Sequence, residues 1–259
     1  MSVQRWKITI EYDGTDYSGW QIQEDGIASI QNSLEVALFK FCQQKIRVQG
    51  AGRTDAGVHA QGQVAHFDLD YGTRVLRGHD LMMAINAHLR PQPISVVHAE
   101  KVESDFHARF GAKNKLYTYR ILTRAAPPTF DRTRFWHVKK PLNVQAMQDA
   151  TPALLGKHDF TSFRAAGCQA KSPIRTLDRL DVEARPYDAF GGMEVLIHAG
   201  GRAFLYNQVR NLAGSLAMVG EGKWAPHTLK EILDKKDRTL SGPTAPPEGL
   251  TLIYIDYKD

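Results

Sequence analysis

Gly52-Arg53-Thr54-Asp55-Ala56-Gly57-Val58-His59-Ala60 lies between two segments that read as strands. Ile46 to Gln49 before it is short and half apolar, and Gln63-Val64-Ala65-His66-Phe67 after it suits a half-buried strand. The intervening loop carries Gly52 and Gly57, which let the chain turn tightly and let a ligand approach the backbone. Loops held by a rigid scaffold are where chemistry tends to be placed. Arg53 stands two residues before Asp55, so a cation and a carboxylate fall within one turn of each other. Such pairs are common and mostly structural, so the loop on its own is compatible with a structural ion pair and with a reactive carboxylate.

Toward the N-terminus, residues 5–12 alternate, with Trp6, Ile8, Ile10 and Tyr12 on one face and Arg5, Lys7, Thr9 and Glu11 on the other. That pattern predicts a strand with one buried face, ended by an Asp13-Gly14 turn. The loop from Thr15 to Gln23 carries aromatics that look exposed, Tyr17 and Trp20, a kind of residue that taken alone usually serves packing. Ser29 is placed to cap a helix, and Ile30, Leu34, Ala37, Leu38 and Phe41 recur at helical spacing, which predicts an amphipathic helix over 30–43. Cys42 reads as a small core residue on that helix. A second helix is expected from Asp80 to Leu89, stopped by Arg90-Pro91, and a strand from Ile94 to Val102.

Toward the C-terminus the alternation of strand and helix repeats. Lys115 to Ile121 reads as a strand, and Val144, Met147, Ala150 and Leu154 as a helix that Pro152 should kink or end early. Pro127-Pro128 and Arg132-Thr133-Arg134 mark a solvated loop. Ile174 to Val182 and Met193 to His198 read as paired strands joined by a turn over 186–192. Phe204 to Val219 reads as the longest helix, Leu229, Ile232 and Leu233 mark a short one, and Leu250 to Tyr257 reads as a closing strand. The expected fold is α+β: two similar halves, residues 1–110 and 111–259, forming a continuous mixed, mainly antiparallel sheet with helices packed on one face and a cleft between the halves.

The chain has 259 residues, of which 42% are hydrophobic, enough for one large core or two modest ones. No apolar run approaches the ~20 residues of a membrane span. Arg5 and Lys7 interrupt any signal-peptide core in Met1 to Ile10, so cytoplasm is the expected location. The two cysteines, Cys42 and Cys168, rule against a disulfide scaffold, and no Cys/His spacing matches a zinc site. His59, His66 and Asp68 fit no standard ligand set, so no metal is expected. Gly220-Glu221-Gly222-Lys223 lacks the spacing and hydroxyl of a phosphate loop. Net charge is +5, unevenly spread. Residues 1–110 hold 11 lysines and arginines against 13 acidic residues, and residues 111–259 hold 22 against 15. The second half would supply most of any surface for a polyanion.

Arg-Thr-Asp-x-Gly-Val-His, as Arg53 to His59, resembles the signature of the tRNA pseudouridine synthase A family. Three further stretches resemble that family: Tyr12 to Gln21, Ser29 to Glu35, and Asp159-Phe160-Thr161-Ser162-Phe163-Arg164. The likeness extends from Tyr12 to about Tyr257. It implies conversion of uridine to pseudouridine at tRNA positions 38, 39 and 40, in the anticodon stem-loop, by a homodimer without a cofactor, and it makes the cleft an RNA-binding one. It implies that Asp55 is the catalytic nucleophile and that Arg210, on the long helix, pairs with it. Tyr117, the first tyrosine of Tyr-x-Tyr, would contact the substrate, stacking on the base and able to assist proton removal. Arg53 would fill the space left when the base leaves its stack. Asn207 and Gln208 depart from the family in standing where relatives often have His. Read as residues alone, Tyr117 is also compatible with a packed strand residue and Arg210 with an exposed helix residue.

Two other functions fit parts of the sequence. An inactive RNA-binding module would need only the basic second half, but would have no use for Asp55 with Arg53, Tyr117 and Arg210 together. A glycoside hydrolase built on Asp55 would need a second carboxylate ~5–10 Å away, and Asp68 and Asp70 occupy surface positions of a strand instead.

Overall fold

The computed structural model describes residues 3–23, 26–73 and 75–257. They form two compact units, Met1–Lys113 together with Leu252–Asp259, and Asn114–Thr251. The architecture is α+β, with mostly antiparallel strand pairing and, among the described residues, five α-helices.

In the first unit the elements are β1 (Val3–Tyr12), α1 (Ile30–Cys42), β2 (Gln49–Gly50), β3 (His59–Asp70), α2 (Gly78–Leu89) and β4 (Ile94–Val102). β1 is central, antiparallel to β3 and to β4, with Ile8 opposite both Ala65 and Ala99. β2 adds to β3 through Gln49–His66 and Gly50–Ala65. The alternation in β1 produces the one-sided burial expected of it: Trp6, Ile8, Ile10 and Tyr12 are all buried. Ile30, Leu34, Ala37 and Leu38 of α1 and Leu81, Ile85 and Leu89 of α2 complete this core, with α2 packed on β4 and α1 on α2. Ser29 caps α1 by accepting from Asn32 N, and Gln43 ends it in the left-handed conformation.

The second unit holds β5 (Asn114–Thr123), β6 (Trp136–Val138), α3 (Val144–Ala150), β7 (Gly156–Asp159), β8 (Ile174–Leu177), β9 (Arg179–Pro186), β10 (Met193–Gly201), α4 (Gln208–Gly220) and α5 (Thr228–Lys235). β10 lies between β5 and β9, antiparallel to both, and β6 joins β5 in parallel. α3 ends at Ala150 and Pro152 opens a separate 3-10 turn, as its missing N–H requires. β11 (Leu250–Asp256) closes the chain, and Gly62 of β3 packs so tightly on it that an added Cβ would stand 2.5 Å from Ile253 O.

Three expectations are corrected. Ile174 to Val182 is two strands broken at Asp178, because the two parts pair differently: β8 with β7, β9 with β10. The long helix begins at Gln208, four residues later than its apolar pattern suggests, because Asn207 takes a left-handed conformation (φ 57°) that no α-helix contains. Cys42 is only half-buried, its thiol turned to Leu38 O at the frayed end of α1. Tyr17 and Trp20 pack as such aromatics usually do, Trp20 being 2% exposed and pressed against Gly50.

The sheet of the first unit carries a pH liability. His66 is 1% exposed, and its Nδ1 accepts from Ala108 N at 3.2 Å. Burial, reinforced by the charges of His107 and Arg5 and opposed by Asp68, pushes its pKa down to about 4. The unfolded chain binds a proton on this histidine near pH 6.5, whereas the folded chain does not until about pH 4. Stability therefore rises with pH across that window, and up to about 3 kcal/mol present above pH 6.5 is lost by pH 4. In His66→Asn the side-chain oxygen can replace Nδ1 as acceptor. Urea unfolding at pH 7 and pH 4.5 should then show a smaller pH effect than in the wild type; an equal effect in both would place the titration elsewhere.

Candidate active site

Residues 51–58 form the loop between β2 and β3, and a second loop, residues 13–20 after β1, is interlocked with it. Trp20 N donates to Thr54 O at 3.1 Å and Gly57 N to Tyr17 O at 3.2 Å, so each loop satisfies main-chain groups of the other. The approach is close because glycines allow it. A β-carbon on Gly14 would run into Val58 O, and one on Gly19, which has φ +91°, would run into Thr54 O. Within the motif only Gly57 takes a positive φ (76°), turning the chain so that Val58 N reaches Asp55 O at 3.1 Å.

A buried polar strip lies beneath the first loop. Tyr12 and Thr54 share a hydroxyl–hydroxyl hydrogen bond of 2.8 Å. Gln63 Nε2 donates to Gly52 O at 3.0 Å and its Oε1 accepts from Val64 N at 3.1 Å, with the side chain near enough to Tyr12 to oppose the rise in its pKa. Burial pushes the Tyr12 pKa up to about 12, so this phenol is neutral and acts through hydrogen bonding. His59, fully buried at the start of β3, has Nδ1 3.0 Å from Gly14 N and 3.1 Å from Asp13 Oδ1, which ties the two loops at a further point. The result is a loop fixed from below and from one side, with Arg53 exposed and Asp55 half-buried on it.

The other two candidates lie in the second unit. Tyr117 is on β5 opposite Ala199 of β10, with its ring edge-on to Phe204 at 5.2 Å. Two residues on, Tyr119 is fully buried and its hydroxyl donates to Pro246 O at 2.7 Å. Burial drives its pKa upward, with Glu248 adding to the shift and the Arg210 charge opposing it. Both tyrosines are buried, Tyr117 at 8% exposure and Tyr119 completely, and Tyr119 ties β5 to the segment before β11. Arg210 sits in the first turns of α4, which packs on β5. Its Nε donates to Ala245 O at 2.7 Å and its Nη1 to Asn207 Oδ1 at 3.0 Å, while Ala245 N donates to Arg210 O at 3.2 Å. The left-handed Asn207 that delays the helix therefore also aims the guanidinium.

Arg53 and Asp55 share one loop, and Tyr117 and Arg210 lie on two elements packed together in the second unit. Sequence reasoning missed the supports: Tyr12, Gln63, Gly14, Gly19, Asn207 and Ala245. One signal was present. Gln63 shares the parity of Ala65, Phe67 and Leu69 along β3, and a polar residue on a buried face must find hydrogen-bond partners. Among the described residues no group of His, Cys, Asp and Glu is arranged to hold a metal ion, and no helix is long and apolar enough to cross a membrane.

Residues 8–111 and 150–258, which include the interlocked loops and the Arg210 helix, match the family described as tRNA pseudouridine synthase. The chain belongs to that family. It is an isomerase that converts uridine to pseudouridine in tRNA. Among its relatives, proteins named tRNA pseudouridine synthase A from Rhodospirillum rubrum and Bartonella henselae are 49% and 48% identical to it. A third, from Parvibaculum lavamentivorans, is 49% identical. Each alignment covers 98% of this chain, and 87%, 99% and 99% of the respective relative.

Proposed function

We propose that the chain acts at positions 38, 39 and 40 of the tRNA anticodon stem-loop, with Asp55 as nucleophile. The observation that carries this reading is the held loop, which presents a half-buried carboxylate beside an exposed guanidinium in a member of this family. The reaction breaks the bond between ribose C1′ and N1 of the base, turns the base, and joins C1′ to C5. The hydrogen on C5 leaves as a proton and N1 gains one, so no redox partner is needed. Covalent attack by Asp55, at the ribose or at the base, divides the exchange into two easier steps. A weak base must be ionised to attack, and Arg210 is the cation assigned to keep it so. Tyr117 stacks on the displaced pyrimidine, an interaction worth about 1–3 kcal/mol per base, and its hydroxyl is the candidate to assist loss of the C5 proton. Arg53 refills the gap left by the extruded base.

Residues 1–110 carry the Asp55 loop in this reading, and residues 111–259 complete an RNA-binding cleft. The active form is a homodimer in the cytoplasm, and its mass in solution tests the first of these. The test of the reaction is release of the C5 hydrogen from tRNA labelled at uridine, together with mapping of pseudouridine in cells lacking the protein. Loss confined to positions 38–40 is expected, and unchanged modification there would overturn the assignment.

The charge distribution gives a second expectation. Residues 111–259 hold twice as many lysines and arginines as residues 1–110, and phosphate contacts dominate affinity for nucleic acid. Neutralising exposed lysines and arginines of the second half should weaken tRNA binding several-fold more per charge than doing so in the first, and should flatten the salt dependence by about 0.7–0.9 per contact removed. Equal losses per charge, measured by filter binding across a salt series, would contradict this.

A further inference from the structure

Tyr12, Thr54 and Gln63 are 3%, 6% and 0% exposed, yet all carry polar side-chain groups. Burying such groups is unfavourable unless they are paired, and an apolar trio of similar size would fill the same space. Each group is paired: Gln63 Oε1 accepts from Val64 N of its own strand, and the other bonds point at the loop. Tyr12 meets the Thr54 hydroxyl, and Gln63 Nε2 donates to the Gly52 carbonyl. The strip therefore grips the loop at residues 52 and 54, on either side of Arg53 and directly before Asp55. Thr54 is also held through its own carbonyl by Trp20 N. The peptide leading into Asp55 is thus fixed by side chain and main chain together.

We propose that Tyr12 and Gln63 are positioning residues for the reaction, setting the approach of the Asp55 carboxylate through Thr54 and Gly52. The proposal rests on Asp55 as the nucleophile. A displacement of about 1 Å in a reacting group costs on the order of a hundredfold in rate, so loosening a grip one residue away acts on turnover. Both side chains lie beneath the loop and are shielded from a bound polynucleotide, so their loss should leave affinity for tRNA alone.

The experiment measures single-turnover release of the C5 hydrogen and, separately, the dissociation constant for tRNA. Tyr12→Phe and Thr54→Val should each slow the single-turnover rate about tenfold, with the dissociation constant within about twofold of wild type. The double variant should be little slower than either single one, because both delete the same hydrogen bond. Thr54→Ser, which keeps the hydroxyl, should restore the rate. Should Tyr12→Phe fail to fold, Gln63→Met answers the same question from the other end of the strip. A wild-type rate in Tyr12→Phe and Gln63→Met, with Asp55→Asn inactive, would overturn the positioning role and leave the nucleophile standing. A loss that appears in the dissociation constant, or that Thr54→Ser fails to reverse, would also overturn it. An active Asp55→Asn would instead remove the nucleophile reading itself.

Discussion

Asp55→Asn is expected to lower pseudouridine formation by on the order of 10⁴-fold or more, the scale on which loss of a nucleophile falls, while tRNA binding changes by less than about threefold. The amide has nearly the shape of the carboxylate, so the loop should keep its contacts. Those contacts include Thr54 O, Gly57 N, the Thr54 hydroxyl and Gly52 O, which come from the main chain and from neighbouring side chains. What is lost is the electron pair that attacks, and an amide cannot supply it. The appropriate measurement is C5-hydrogen release under single turnover beside filter binding on the same preparation. Retained turnover would show that the covalent step lies elsewhere. A parallel loss of binding would show that Asp55 serves the loop's shape.

The sequence expressed its regular elements through local physics. Ser29 announced the start of α1, Arg90-Pro91 the end of α2, and the period-2 burial of Trp6, Ile8, Ile10 and Tyr12 the central strand. The failures all have a tertiary cause. β8 and β9 read as one strand because their break is set by partner choice, which no local pattern encodes. The start of α4 was hidden because Phe204 and Leu205 continue its apolar face, whereas the left-handed Asn207 interrupts the helix without any change in that apolar pattern. The motif residues were conspicuous, but the devices that hold them were not. Tyr12 passed as a core residue, and Gly14 and Gly19 as ordinary turn glycines. Their importance lies in how near Val58 and Thr54 come to them. A loop can be recognised from its own residues, but its rigidity is supplied by side chains elsewhere in the chain.

The same distinction governs Gly214, buried in the middle of α4. Helix propensity alone says that Gly214→Ala should gain about 1 kcal/mol. The surroundings reverse the sign. A β-carbon there would run into the carbonyl oxygen of Pro243, stand 3.0 Å from its carbonyl carbon and 3.4 Å from Ala245 N. All three are backbone atoms, which no rotamer change can withdraw. The segment is also strapped down: Arg238 bonds Gly242 O, the Ser241 and Thr244 hydroxyls and Asn211 Oδ1, and Ser215 Oγ accepts from Gly242 N. It therefore cannot shift without breaking a buried network on α4. Destabilisation of at least about 3 kcal/mol is expected, at the upper end of overpacking costs, lowering Tm by roughly 10 °C in a chain of this size. The displaced segment includes Ala245, whose carbonyl holds Arg210 Nε and whose N–H meets Arg210 O. Turnover at a temperature where the variant is still folded should fall as well, which links the packing of α4 to the cation assigned to Asp55. Gly222→Ala is the control, because its surroundings are open within 4 Å and only its φ of +73° opposes a side chain; it should cost about 1 kcal/mol and leave turnover unchanged. Equal Tm values for the two variants would show that the Pro243 segment yields freely.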